Sequence, residues 1–172
     1  MKKWIALFLA VTLVLSMTAC RRKKTEPLAG SMEQNVNKIM EENPAQFMGG
    51  MMPLDLQDTS EEGLWALKSY TGLDSAEKLT DAAVYEPMTG SQAFSLVLVR
   101  VTDSADAQTV ARQMKDNINP RKWICAGADQ VMAAGYGDVV MFIMLDSALG
   151  MNAQSYVDAF AKLCGGKLDF TV

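Results

Sequence analysis

Phe94-Ser-Leu-Val-Leu-Val-Arg-Val101 decides the fold of this chain. The run is rich in Val and Leu, with the turn formers Thr89-Gly90-Ser91 ahead of it, and it reads as a strand. Side chains alternate across a strand, so Val97, Val99 and Val101 line one face and Phe94, Leu96 and Leu98 the other. Both faces are apolar, and a sheet built on this strand needs cover on both. Working outward, Asp103 or Ser104 caps a helix in which Ala107, Val110, Ala111, Met114 and Ile118 share one side, and Pro120 stops it. Upstream, Ala82–Glu86 reads as a short strand, placed at a sheet edge because Pro87 interrupts it.

The same order then recurs. Val131–Ala134 is a weaker strand, Gly135-Tyr136-Gly137-Asp138 a turn, and Val139–Leu145 an apolar run without alternation, as in a strand buried on both faces. Asn152 caps a last helix with Ala153, Tyr156, Val157, Phe160, Ala161 and Cys164 on one stripe, ended by Gly165-Gly166. Lys167–Val172 is a candidate edge strand. Segments 82–118 and 131–164 therefore share one plan, hairpin then helix. The fold class is α+β: two β-β-α units pair into one antiparallel four-stranded sheet with both helices on one face. Two short N-terminal helices precede them. One runs from Met32 to Glu42, opened by a Ser31/Gln34 capping box. The other is opened by Thr59 and Glu62, turns Leu64, Leu67 and Tyr70 inward, and closes at Gly72. These two helices are the expected cover for the second sheet face. Left open, that face would be a partner site.

The first twenty residues carry a different signal. Lys2-Lys3 precede an apolar run from Trp4 to Leu15, followed by Ser16-Met17-Thr18-Ala19-Cys20. A charged start, a short apolar stretch and small residues before a cysteine form a lipoprotein signal. Sixteen residues from Trp4 to Ala19 fall short of the roughly 20 a spanning helix needs. Cys20 is thus the expected lipidation site: its thiol takes a diacylglyceryl group and becomes the N-terminus after cleavage. Arg21, Arg22, Lys23 and Lys24 follow directly. Beside a lipid they would rest on anionic head groups, contributing about 1 kcal/mol each; otherwise they are a solvated linker. Positive charge also resists translocation, so the competing reading is an uncleaved anchor that keeps residues 21–172 in the cytoplasm. A third reading is cleavage without lipid. The expected division is residues 1–19 signal peptide, 20–30 lipidated cysteine and basic linker, and 31–172 one α+β domain at the extracytoplasmic face of the cell membrane.

Beyond the basic run the body is acidic. Residues 25–172 hold ten Lys/Arg against twenty Asp/Glu, a net of −10. Such a body does not bind nucleic acid, which needs clustered cations. The chain has no histidine, which removes His-based triads, His bases and His metal ligands. Cys125 and Cys164 either form a disulfide outside the membrane or are two inert buried thiols. Met48, Met51 and Met52 lie close enough in sequence to hold Cu(I) through soft thioethers, or else they fill gaps in the core. Asp129, Asp138 and Asp146 fall near strand ends and turns, where acids ordinarily serve as caps. Two of them in one cleft could act as acid and base in a hydrolase.

Several segments together resemble a family of small uncharacterised lipoproteins of Gram-positive, clostridia-like bacteria, a domain of unknown function. They are Met52-Pro53-Leu54, the acidic helix closing on Tyr70-Thr71-Gly72-Leu73-Asp74, Ala83-Val84-Tyr85, Met88 before the turn, and the strand Phe94–Val101 with its following helix. The likeness covers roughly residues 50–146. It implies a membrane-anchored extracellular α+β domain and assigns no activity or functional residue. The expectation is a non-catalytic binding or accessory module, held to membrane lipid through Cys20, without a cofactor, and with a protein or small-ligand partner that the sequence does not identify. The alternatives are a hydrolase using paired carboxylates and a Met-based copper carrier.

Overall fold

The two apolar runs pair with each other at the centre of the sheet. A computed structural model describes residues 27–172, and Cys20 and Arg21–Lys24 lie outside the described residues. Within them the chain forms α1 (Met32–Glu42), β1 (Gly49–Met52), α2 (Glu61–Thr71), β2 (Leu79–Pro87), β3 (Phe94–Val101), α3 (Ala107–Asn117), β4 (Gln130–Tyr136), β5 (Val139–Leu145), α4 (Ala153–Leu163) and β6 (Phe170–Thr171). The architecture is α+β: one open antiparallel sheet in the order β1-β2-β3-β5-β4-β6, with four helices. β3 and β5 run antiparallel from Phe94↔Leu145 to Arg100↔Val139.

The sheet has six strands rather than the four expected. β6 forms within Lys167–Val172, the candidate edge strand, while β1 was not expected and pairs with β2 from Gly49↔Pro87 to Met52↔Val84. β2 is therefore an interior strand, not an edge. Pro87 is tolerated because the β2–β3 ladder has already ended at Tyr85↔Leu96, so its missing N–H leaves no bond unmade there.

Both faces are covered. Phe94, Leu96 and Leu98 pack with Met141, Ile143 and Leu145 under α1 (Met32, Val36, Ile39) and α4 (Tyr156, Val157, Phe160). Val97, Val99 and Val101 pack with Val140, Phe142 and Met144 under α3 (Val110, Ala111, Met114) and Leu67 of α2. All six β3 residues named are at most 1% exposed. The proposed open sheet face does not exist.

The helices of the two repeat units sit on opposite faces, not on one as expected. The cause is topological. β3 reaches β4, and β5 reaches β6, by crossing one intervening strand in the same lateral direction. β3 and β5 run antiparallel, so two right-handed crossovers stepping the same way must use opposite faces.

Local sequence explains the helix ends. Ser31 Oγ accepts from Gln34 N–H while the Gln34 side chain returns to Ser31 N–H, the capping box read from sequence. At α2 the cap is Ser60, one residue later than expected, accepting from Gly63 N–H. Asp58 folds beneath that turn so tightly that a Cβ on residue 63 would stand 2.4 Å from its Cγ, which requires glycine. Gly72 closes α2 at φ +74°. Asp103 caps a single 3-10 turn, Ser104–Asp106, which leads into α3.

Candidate functional site

The sequence-derived candidates do not converge on one site, although Asp129 and Asp146 meet at one turn. Cys125 is exposed in the loop between α3 and β4, Cys164 is buried at the end of α4, and both are free. The disulfide considered for them is not formed. Burial, helped by the Asp169 charge, pushes the Cys164 thiol up to about 12, so it is an inert core group.

The three methionines do not converge either. Met51 packs on the α1/α4 side of the sheet and Met52 on the α3 side, as alternation along β1 demands. Met48 is 77% exposed. Among the described residues no group of three His, Cys, Asp or Glu is placed to hold a metal.

The three aspartates are structural. Asp129 accepts from the backbone N–H and hydroxyl of Ser147, and Asp146 from Ala148 N–H, so both secure the 3-10 turn after β5. The Ser147 bonds hold the Asp129 carboxyl below the ordinary carboxylate range, opposite to what a general acid needs. Asp138 lies at the other end of β5, clamped by Arg100 with contacts of 3.0 and 2.8 Å. A groove of about 240 Å³ runs between segment 73–78 and α3, lined by Asp74, Glu77, Lys78, Gln113 and Asn117 among others. Its charges are largely spoken for: Asp74 pairs with Lys68, and Lys78 with Asp106.

What the sequence did not show is an apolar corner beside the β1–β2 pair. Met88 donates its N–H to Met48 O at 3.0 Å, continuing the register beyond Gly49↔Pro87, so the two methionines stand opposite each other. Ile124 hangs over the adjoining turn: its N–H donates to Gly90 O at 3.1 Å, and a Cβ on Gly90 would touch its side chain at 3.5 Å. Met48, Met88 and Ile124 are 77%, 68% and 88% exposed. Single exposed apolar residues are ordinary; here the register sets Met48 beside Met88, and Ile124 adjoins them through the turn at Gly90.

The loop carrying Ile124 is fastened from below. Lys122 reaches inward to Glu86, donates to Ser69 O at 2.9 Å, and lies 4.9 Å from the Tyr70 ring centre and 5.3 Å from that of Trp123. Both charged side chains are 10% exposed. Burial pulls the Lys122 ammonium below its ordinary pKa, and the Glu86 charge opposes that shift. The corner is thus built on a fixed base.

The N-terminal segment joins the domain at the opposite end. The Arg100 guanidinium donates to Leu28 O at 2.7 Å and Gly30 O at 3.1 Å while holding Asp138. Asp81 accepts from Met32 N–H at 2.9 Å. β3 separates this clamp from the apolar corner, and at about 3.3 Å per residue its eight residues span roughly 25 Å. Among the described residues no helix is long and apolar enough to cross a membrane. No family model, no curated protein and no solved structure matches the chain.

Proposed function

We propose that this chain is a membrane-anchored lipoprotein whose α+β domain works as a non-catalytic binding or accessory module on the extracytoplasmic face. One observation carries the reading: Lys2-Lys3, the apolar run and Thr18-Ala19-Cys20 stand in the order that lipidation and export require. The resemblance of residues 50–146 to small lipoproteins points the same way. The domain's polar groups support it, because the candidate acids serve turns and clamps and histidine is missing. The contact surface is the Met48–Met88–Ile124 corner. It lies about one strand length from where residues 28–30 join the domain, which leaves it clear of that junction.

Cys125 supplies the test. It is exposed, and Cys164 is buried. A membrane-impermeant maleimide applied to intact cells labels the chain once, and Cys125→Ser abolishes the label. Labelling only after lysis places the domain in the cytoplasm and overturns the reading.

A further inference from the structure

We propose that β1 is a docking edge that accepts an extended peptide segment of a partner protein, uncharged or basic, as an added strand beside Gly49–Met52. The proposal deepens the binding-module reading and rests on it.

The backbone itself specifies the occupant. In an antiparallel pair, residues alternate between those that exchange hydrogen bonds with the partner strand and those that point away. The Met88-to-Met48 bond marks that pair as bonded, so Gly50 and Met52 also face β2, whereas Gly49 and Met51 direct N–H and C=O outward. β1 is the last strand on its side of the sheet, and among the described residues no backbone group meets those outward ones. An extended chain is the partner that satisfies a row of alternating donors and acceptors.

The edge lacks one usual guard, charge, although it is four residues long and Pro53 ends it. Exposed edges are ordinarily blunted by charge, proline, bulges or shortness. The opposite edge, β6, is two residues long. Around β1, by contrast, no charged residue occurs from Pro44 to Leu54, although the body beyond Lys24 carries a net of −10. The face of β1 is open at its centre: a Cβ on Gly50 would meet nothing within 4 Å. Met48 and Met88 stand on that same face as an exposed apolar shelf for the incoming side chains. Methionine suits such a surface, being flexible and polarisable. The charge argues against a second copy as occupant, because edge-to-edge pairing would join two acidic bodies.

The test uses the full chain in detergent and a synthetic probe, Lys-Val-Thr-Val-Thr-Val-Thr-Val-Lys, read by amide hydrogen exchange. The Gly49 and Met51 amides exchange freely without the probe and slow about tenfold or more when it is saturating. Met51→Pro removes an outward donor but none of the β1–β2 bonds, and weakens the probe about tenfold. Met48→Lys, at an exposed site, weakens it without loss of fold, and it stands alone if Met51→Pro fails to fold. Three results overturn the proposal: Gly49 and Met51 already protected in the free chain, whether by a dimer or otherwise; protection by the probe confined to other segments; or variants that bind as the parent does. The assay gives the same answer with Cys20→Ser, so failure of the lipid anchor and failure of strand addition are told apart.

Discussion

Lys122 and Glu86 form an ion pair with both side chains 10% exposed, joining the α3–β4 loop to the interior strand β2. Removing one member of a buried pair strands the other charge, at a cost of about 3–5 kcal/mol, whereas replacing both by apolar groups is often close to neutral. Glu86→Ala therefore destabilises strongly, and Glu86→Leu with Lys122→Met restores most of the loss in denaturant unfolding. The pH dependence has a defined sign. Without Glu86, burial alone sets the Lys122 pKa, and it falls further below the unfolded value. A lowered lysine pKa penalises the fold while the group is protonated. The deficit of Glu86→Ala therefore shrinks as pH rises through the folded pKa.

The two thiols of the domain differ in chemistry. An aromatic disulfide reagent titrates Cys125 quickly in the native chain, and Cys164 only on unfolding. Cys164 and Tyr156 are both pushed up to about 12 by burial first. Groups with raised folded pKa values contribute stability that is complete below their unfolded values and lost above them. Unfolding free energy thus declines from about pH 9, where unfolded cysteine ionises, and more steeply beyond about pH 10 as tyrosine follows. Cys164→Ala removes the earlier part of that decline.

Gly135 makes room for the C-terminal strand. A Cβ there would stand 2.1 Å from the Phe170 ring, and Gly135 pairs with Phe170 in the β4–β6 ladder. Gly135→Ala displaces the ring and detaches β6, costing about 1–3 kcal/mol. Hydrogen exchange shows the loss first at residues 169–172.

Arg100 uses its fork on two sides at once, holding Asp138 and the carbonyls of Leu28 and Gly30. Lysine keeps the charge but cannot span both. Arg100→Lys therefore speeds proteolysis around residues 28–30 while the β3 and β5 amides stay protected.

How much of this was legible in the sequence depends on the element. Phe94–Val101 and Val139–Leu145 declared themselves, because a strand apolar on both faces has only one place to go, the middle of a covered sheet. The Ser31/Gln34 box and the Asn152 cap were equally plain. β1 was not, since Gly-Gly-Met-Met has weak strand preference and is held by pairing with β2. Pro87 made β2 look like an edge, and it is the pairing with β1 that makes it interior. The opposed faces of α3 and α4 were hidden for another reason: they follow from the strand order, which no local pattern encodes. Of the site, the sequence offered Met48, but Met88 and Ile124 join it only through the register and the turn contact at Gly90.

The central claim is that Cys20 carries the anchor and residues 1–19 are removed. Intact-mass analysis of the chain purified from its native membrane tests it directly. The account requires a polypeptide beginning at Cys20 with the added mass of a diacylglyceryl group. A chain that retains residues 1–19, or one that begins at Cys20 without acyl mass, contradicts it.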